Sequence, residues 1–284
     1  MPVFITSAVL LFSAFPAFAE TQHQRLVYEV YAGGIHAVQA ELNVGYSGND
    51  RYDINLAAKT RGFLAKLAPW QGTFESNGWV NDDGSLQPEL HKSTATWRDE
   101  SEVKEYNYSR SGTFESLVIT EHDKAPERPE LEAALTQGTI DALTATLLVM
   151  EKTGEGGKCE GTSEVFDGKR RFEMVFVPQE QELLQPTRYN VYEGNTQICT
   201  VEVKPVAGQW YDKPRGWLSI QEQGRERGTM PTIWMGKIAE DGPAVPVKIL
   251  VKTAYGALFA HLAEYESEEQ LFIAENRSEA EAGE

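Results

Sequence analysis

Residues 38–46, with the sequence VQAELNVGY, decide the fold because apolar and polar side chains alternate strictly along them. The same alternation resumes over residues 51–60, RYDINLAAKT, after a short turn that contains Gly48 and Asp50. A period of two is the repeat of a β-strand that buries one face and exposes the other. Two such strands joined by a short Gly/Asn/Asp turn predict an antiparallel hairpin.

The period of two returns over residues 171–176, 199–203 and 247–253, so the predicted sheet continues through most of the chain. Helical spacing is confined to residues 139–152, for which Thr139 is a candidate N-cap, and to a short segment over 63–68. Two helices are too few to cover a sheet with one apolar face, so the sheet must curl. We therefore predict a mainly β fold: a curved antiparallel sheet forming a partly open barrel, with one longer helix and one or more short helices.

The two ends of the chain differ from the part between them. Residues 3–18 are apolar and lead into Ala17-Phe18-Ala19, the small-x-small pattern of a signal peptidase site. Residues 264–284 hold eight acidic residues and one base. We predict a signal peptide over 1–19, a single β-rich domain over 20–267, and an acidic, disordered tail over 268–284.

The charge of the chain restricts its partners. The formal net charge is −17, and every charged residue follows residue 19. Nucleic acid is a poor partner for such a surface, because affinity for phosphates comes from clustered Lys and Arg. No later stretch approaches the roughly 20 apolar residues of a membrane-spanning helix, so we expect no transmembrane segment once the signal is removed.

Cys159 and Cys199 are the two cysteines of the sequence. An even number of cysteines in an exported chain favours a disulfide between them. The alternative is a pair of buried free thiols. A redox-active pair is disfavoured, because the two are not in Cys-x-x-Cys spacing.

No catalytic motif occurs in the sequence: there is no Gly-x-Ser-x-Gly and no His-Glu-x-x-His. The cluster Glu121-His122-Asp123 is the densest group of titratable residues, and a solvated turn is its simplest interpretation. We expect no metal site and no cofactor, and the sequence favours a protein that is not an enzyme. A pair of catalytic carboxylates, as in glycosidases, is the open alternative.

The aromatic residues suggest a binding function. Phe63, Leu64, Leu67 and Trp70 form a compact apolar segment, which we interpret as a ligand-binding lid over an apolar pocket. Five more tryptophans, at positions 79, 97, 210, 217 and 234, would line the cavity of a curled sheet. The alternative is that these aromatic side chains simply fill the core, where large aromatics usually lie.

Several phrases in order resemble an exported proteobacterial family known as a domain of unknown function, DUF 3108. The phrases are Gly84-Ser85-Leu86-Gln87-Pro88, Trp97-Arg98, Gly138-Thr139-Ile140-Asp141-Ala142-Leu143, Lys158-Cys159, Val165-Phe166-Asp167-Gly168-Lys169-Arg170-Arg171, Cys199-Thr200-Val201, Pro205-Val206-Ala207-Gly208, Val245-Pro246-Val247 and Thr253-Ala254-Tyr255-Gly256. The resemblance covers most of residues 25–265. It implies a periplasmic location and a wrapped antiparallel sheet, similar to the open barrels of lipoprotein-carrier proteins, and it brings no catalytic residue.

Two hypotheses about function follow, with a third beside them. The first is a non-enzymatic periplasmic protein that binds a hydrophobic ligand, such as a lipid, or a cell-envelope component in the concave face of its sheet. The second is a hydrolase acting on an envelope glycan or lipid through unidentified carboxylates, and the third is a scaffold for protein partners. The sequence pattern specifies neither the ligand nor the oligomeric state.

Overall fold

The computed structural model describes residues 22–48, 50–213, 217–253 and 256–282. The predicted signal peptide over 1–19 lies outside them. The strands are β1 (Gln22–Ala32), β2 (Ile35–Ser47), β3 (Arg51–Thr60), β4 (Trp70–Val80), β5 (Leu86–Trp97), β6 (Glu100–Tyr108), β7 (Phe114–Glu121), β8 (Gly161–Phe166), β9 (Arg170–Pro178), β10 (Glu182–Leu184), β11 (Gly194–Gly208), β12 (Thr232–Lys237), β13 (Ala244–Thr253), β14 (Gly256–Ser267) and β15 (Leu271–Ile273). The helices are α1 (Gly62–Leu67), α2 (Ala133–Thr136), α3 (Ala142–Gly154), α4 (Trp217–Arg227) and α5 (Glu275–Ala282).

The strands form one large antiparallel sheet in the order β7-β6-β5-β4-β3-β2-β1-β14-β13-β12-β11-β9-β8, with β10 beside β11 and β15 beside β14. The predicted hairpin over 38–60 is confirmed as β2 and β3, with Leu42 opposite Leu56. The sheet curves around α3, which contacts strands of both halves: β3, β4 and β5, and also β8, β9, β12 and β13. This is the predicted mainly β, partly open barrel.

Helix α3 fills one end of the barrel, which we call the lower end. Its side chains Leu147 and Met150 are fully buried. The predicted helix is confirmed, but the prediction of Thr139 as its N-cap is wrong. Asp141 is the cap and accepts hydrogen bonds from the backbone N–H groups of Leu143 and Thr144, both at 2.9 Å.

Asp141 also fixes the helix to the wall of the barrel. Its carboxylate is buried and accepts a hydrogen bond from the hydroxyl of Ser76 on β4 at 2.7 Å and from the hydroxyl of Thr144 at 2.6 Å. Tyr52 on β3 bonds the same threonine hydroxyl at 2.8 Å. Buried polar groups cost free energy unless they are hydrogen-bonded, so this network specifies one position for the start of α3.

The other end of α3 is held by two further connections. The ammonium group of Lys237 on β12 donates to the carbonyl oxygen of Gly154 at 2.9 Å, at the negative end of the helix dipole. Shortly after the helix, Cys159 forms a disulfide with Cys199 on β11, and both cysteines are fully buried. The structure thus contains the predicted disulfide, which links the chain just after α3 to the C-terminal half of the sheet.

Residues 122–141 fill the seam between β7 and β8, the two ends of the sheet. Ile119 on β7 exchanges two backbone hydrogen bonds with Glu127, and Ile140 exchanges two with the edge of β8. A small second core of aromatic and aliphatic side chains packs across the seam: Tyr106, Tyr108, Leu117 and Phe166. Both strand edges are therefore covered without direct pairing between them, which protects them from pairing with other chains.

The region predicted as a disordered tail has regular structure up to residue 282. Strand β15 pairs with β14, and α5 packs on the outer face of the sheet. Arg277 of α5 is largely buried and forms ion pairs with Glu29 on β1 and Glu264 on β14. The acidic composition alone did not reveal that this base joins the two strands.

Helix α4 has no counterpart in the sequence-based prediction. Strand β12 pairs with residues 196–200 of β11, so the upper part of β11 has no strand neighbour on that side, and α4 lies there. The side-chain amide of Gln221 replaces a strand there: its oxygen accepts from Val203 N–H at 2.6 Å, and its NH₂ donates to Val203 C=O at 3.0 Å. The polar helix thereby satisfies an exposed sheet edge.

We expect that Asp141→Ala lowers the free energy of unfolding by about 3 kcal/mol, because an N-cap is lost and the hydroxyl of Ser76 loses its buried acceptor. Urea denaturation measures the change. Asp141→Asn should recover part of it, because its amide oxygen still accepts. Asp53→Ala, at an exposed position on β3, is the control. An equal effect of the Asp141 and Asp53 alanine variants would contradict the role of the cap.

We expect that Glu151→Gln stabilises the protein at alkaline pH. Burial raises the pKa of Glu151 from 4.5 to about 7, and Glu155 adds to the rise. The folded state therefore keeps a proton on Glu151 that the unfolded state releases above pH 4.5. The free energy of unfolding consequently falls as the pH rises from 4.5 to about 7 and does not fall further from this cause at higher pH. Urea titrations should show a gain of about 2 kcal/mol at pH 8, after allowance for partial exposure, and little gain at pH 4.

Glu222→Gln on α4, at an exposed position, is the control for Glu151→Gln. It should leave the pH dependence unchanged. A gain for Glu151→Gln of the same size at pH 4 and pH 8 would show that the charge of this carboxyl is not its cause.

Candidate functional site

The concave face of the sheet changes in character from its lower to its upper end. Near α3 the inward side chains Val44, Ile54 and Leu262 are almost completely buried. Higher on the same strands, the inward side chains are only half-buried. They are Val30, Val38, Leu56, Phe74, Ile249, Val251, Leu258 and Ala260. The upper half of the barrel is thus an open apolar concavity that α3 does not fill.

A row of small residues crosses this concavity. Ala40, Ala58, Gly72 and Ala95 are register partners on four neighbouring strands, β2 to β5. Side chains opposite each other in register point to the same side of a sheet. The small residues therefore leave space for a shallow groove across the concave face. The rings of Trp70 and Phe74 occupy this space over the buried Gly72, where a Cβ would lie 2.8 Å from the Trp70 ring and 3.1 Å from the Phe74 ring.

The rim at the upper end exposes large apolar side chains. Phe63 and Leu67 on α1 are 64% and 57% exposed, and Trp97 at the end of β5 is 50% exposed. Two more exposed apolar residues lie near strand ends on the same side: Ile35 at the start of β2 and Val206 near the end of β11. Apolar side chains collected around an opening are typical of a binding surface rather than of scattered surface residues.

The predicted lid residues lie at this rim. Phe63 and Leu67 point away from the core, whereas Leu64 and Trp70 are half-buried. Thr60 closes the base of the segment: its hydroxyl donates to the carbonyl of Ala68 at 3.2 Å and accepts from the N–H of Trp70 at 3.0 Å. The segment therefore has a fixed base, with its apolar side chains presented at the opening.

The other tryptophans differ in their surroundings. Trp97 is at the rim, and Trp217 is the exposed first residue of α4. The indole of Trp79 is near the guanidinium groups of Arg51 and Arg110, at 5.1 Å and 5.0 Å from the ring centre. Two more pair with cations: Trp210 with Arg170, and Trp234 with Lys248. These three tryptophans pack against charged side chains. Trp234 is also buried in the core, and Trp210 contacts Phe172 edge-on, with the ring centres 6.2 Å apart.

A cavity of about 510 Å³ opens at the rim on the side of β4 to β7. Its apolar wall is made by Trp70, Ala95 and Trp97, and its polar wall by Glu100, Ser101, Glu102, Glu121, His122 and Lys124. Ala95 also belongs to the row of small residues, and the Trp70 ring over Gly72 separates the cavity from Ala40 and Ala58 in that row. We call this cavity the mouth pocket.

Lysines neutralise two of the acids in the mouth pocket. Glu102 and Glu121 are register partners on β6 and β7. Lys104 donates to Oε1 of Glu102 at 2.5 Å, and Lys124 donates to Oε2 of Glu121. The hydrogen bond from Lys124 holds the pKa of Glu121 below its usual value. A catalytic acid needs a raised pKa, so this pair does not support the hydrolase hypothesis.

The sequence reasoning missed a buried group of Ser76, His91 and Asp141, the residue types of a hydrolytic triad. In a triad the histidine stands between serine and carboxylate. Here Ser76 donates to Asp141 and also lies 2.7 Å from Nδ1 of His91, and all three side chains are buried. The group therefore anchors α3 and is not a nucleophile site. No motif joins residues so far apart in sequence.

Within residues 22–48, 50–213, 217–253 and 256–282, no cluster of three or more His, Cys, Asp or Glu side chains could hold a metal ion. Among the helices of residues 22–282 that the structure describes, none combines the length and apolarity needed to cross a membrane.

Comparison with known proteins places the chain among proteins of unknown function. Residues 27–263 match the family described as "Protein of unknown function (DUF3108)". The crystal structure of a beta-barrel-like protein of domain of unknown function DUF1849 from Brucella abortus is similar, with 12% sequence identity and a TM-score of 0.47. That alignment covers 88% of this chain and 99% of the other. No curated protein matches the sequence.

Proposed function

The chain belongs to the DUF3108 family of proteins of unknown function, as the sequence phrases indicated, and we propose that it binds a hydrophobic ligand in its concave face. The ligand would be a lipid or the apolar part of another cell-envelope component. The observation that carries the proposal is the open upper half of the barrel, where inward apolar side chains are half-exposed below a rim of exposed Phe63, Leu67 and Trp97.

The groove of small residues suits an alkyl chain. Each methylene group transferred from water to an apolar surface contributes about 0.8 kcal/mol, so ten methylenes contribute roughly 8 kcal/mol. The loss of translational and rotational freedom offsets a large part of this gain. An affinity in the micromolar range is therefore expected for a single chain of that length.

Segment 63–70 is proposed as the lid of the groove. Its base is fixed at Thr60, and its exposed Phe63 and Leu67 would be covered on closing over a bound chain. Leu64 and Trp70 already face the protein and would form the inner side of the lid.

Export to the periplasm is part of the same proposal. It is supported by the apolar segment before Ala19 and by the buried disulfide, which is a feature of oxidising compartments. A binding protein for envelope lipids would work in that compartment.

The groove is tested by Ala58→Phe, because the ring would fill the row of small residues. We expect the affinity for the uncharged methyl ester of dansyl-undecanoic acid, measured by the emission of its dansyl group, to fall at least about tenfold, which corresponds to the loss of about 1.4 kcal/mol of contact. Ala57→Phe, one residue earlier on the opposite face, is the matched control and should bind as the wild type does. No binding by the wild type, or equal losses in both variants, would contradict the proposal.

Export is tested by expression of the full chain in a Gram-negative host. We expect the protein recovered from the periplasm to begin at Glu20 and to lack two hydrogens relative to the reduced chain, because Cys159 and Cys199 are joined. Intact mass spectrometry with and without reductant measures both. A chain that stays in the cytosol with residues 1–19 intact would contradict the proposed location.

A further inference from the structure

The mouth pocket lies where the head group of a ligand in the groove would lie. Ala95 belongs to the groove and to the pocket, and Trp70 lies on the border between them. The indole of Trp70, which belongs to the proposed lid, covers Gly72 and would have to turn aside for an alkyl chain to pass. The chain would then end beside Trp97 and the polar wall of the pocket. The groups of that wall are the ones that would contact the head group.

Charge in the pocket restricts the head group. Glu100, Glu102 and Glu121 would repel an anionic head group such as a carboxylate or phosphate. Lys104 and Lys124 already neutralise two of these three acids, so a cationic head group would have to compete with lysines held by hydrogen bonds. A neutral head group with many hydrogen-bond donors meets neither difficulty.

In each of these two carboxylates, one of the two oxygens accepts no hydrogen bond from the lysine. Lys104 occupies Oε1 of Glu102, and Lys124 occupies Oε2 of Glu121, which leaves the other oxygen of each to accept from a ligand hydroxyl. Hydrogen bonds to ionised acceptors are stronger than those between neutral groups. The half-exposed indole of Trp97 presents a face with negative potential, onto which the C–H groups of a ring can stack.

We infer that the ligand is an amphiphile with a sugar head group, whose ring stacks on Trp97 and whose hydroxyl groups donate to Glu102 and Glu121. This inference rests on the proposed function, since the alkyl chain must lie in the groove for the sugar to reach the pocket. It names the class of ligand that the site selects.

The test compares three dodecyl probes that differ only in head group: dodecyl maltoside, dodecanoate and dodecyltrimethylammonium. Titration calorimetry below the micelle-forming concentrations measures each affinity. We expect the full-length mature protein to bind the maltoside at least about tenfold more tightly than the two charged probes, which corresponds to about 1.4 kcal/mol. Trp97→Ala and Glu102→Gln should each reduce this ratio by at least about threefold.

Trp79→Ala and Glu75→Gln are the matched controls, because both positions lie on the outer face of β4, away from the groove. Equal binding of all three probes, with affinity ratios that Trp97→Ala does not change, would overturn the inference of a sugar head group. It would not contradict binding of the alkyl chain in the groove. Preferred binding of dodecyltrimethylammonium would identify a cation-binding pocket instead and would also overturn it. Failure of every dodecyl probe to bind would contradict the proposed function itself.

Discussion

The structure depends on the buried carboxylate of Asp141, which joins the start of α3 to the wall of the barrel. It satisfies two backbone N–H groups of the helix and accepts from Ser76 on β4 and Thr144 on the helix. A sheet with one apolar face must close on itself or enclose something. Here it encloses a helix held at both ends. The sheet therefore needs no direct pairing between β7 and β8, and the segment between them fills the seam.

The position of α3 also determines where the candidate site lies. The helix reaches from Tyr52 and Ser76 to Gly154 near the lower end of β13, so it packs only the lower half of the concave face. The inward apolar side chains of the upper half are only half-buried. The same constraint that stabilises the fold thus leaves a groove that a ligand can occupy, and the charged mouth pocket lies at the end of that groove.

The alternating sequence over 38–60 was enough to predict the hairpin and the class of fold, because one buried face imposes a period of two. The cap of α3 was not predictable from local sequence. Ile140 pairs with the edge of β8, which keeps residues 139–140 extended and moves the start of the helix to Ala142. Likewise, Gln221 acts through a tertiary contact with Val203, and such contacts leave no periodic signal in the sequence.

The candidate site was predictable only in part. The compact apolar segment Phe63 to Trp70 indicated a binding element, and the structure has it at the rim of the barrel; its role as a lid remains a prediction. The sequence could not bring Trp97, Glu102 and Glu121 together, because that depends on the register of β5, β6 and β7. Register is set by turns and packing over the whole sheet.

We propose that an apolar ligand lies in the upper half of the concave face and not elsewhere. Methyl NMR spectra with the uncharged methyl ester of a fatty acid that carries a nitroxide near its chain end test this location. We expect selective broadening of the methyl signals of Leu56, Val251 and Leu258, with those of Leu147 and Val245 near α3 retained. Broadening confined to the outer face, or no selective broadening at all, would contradict it.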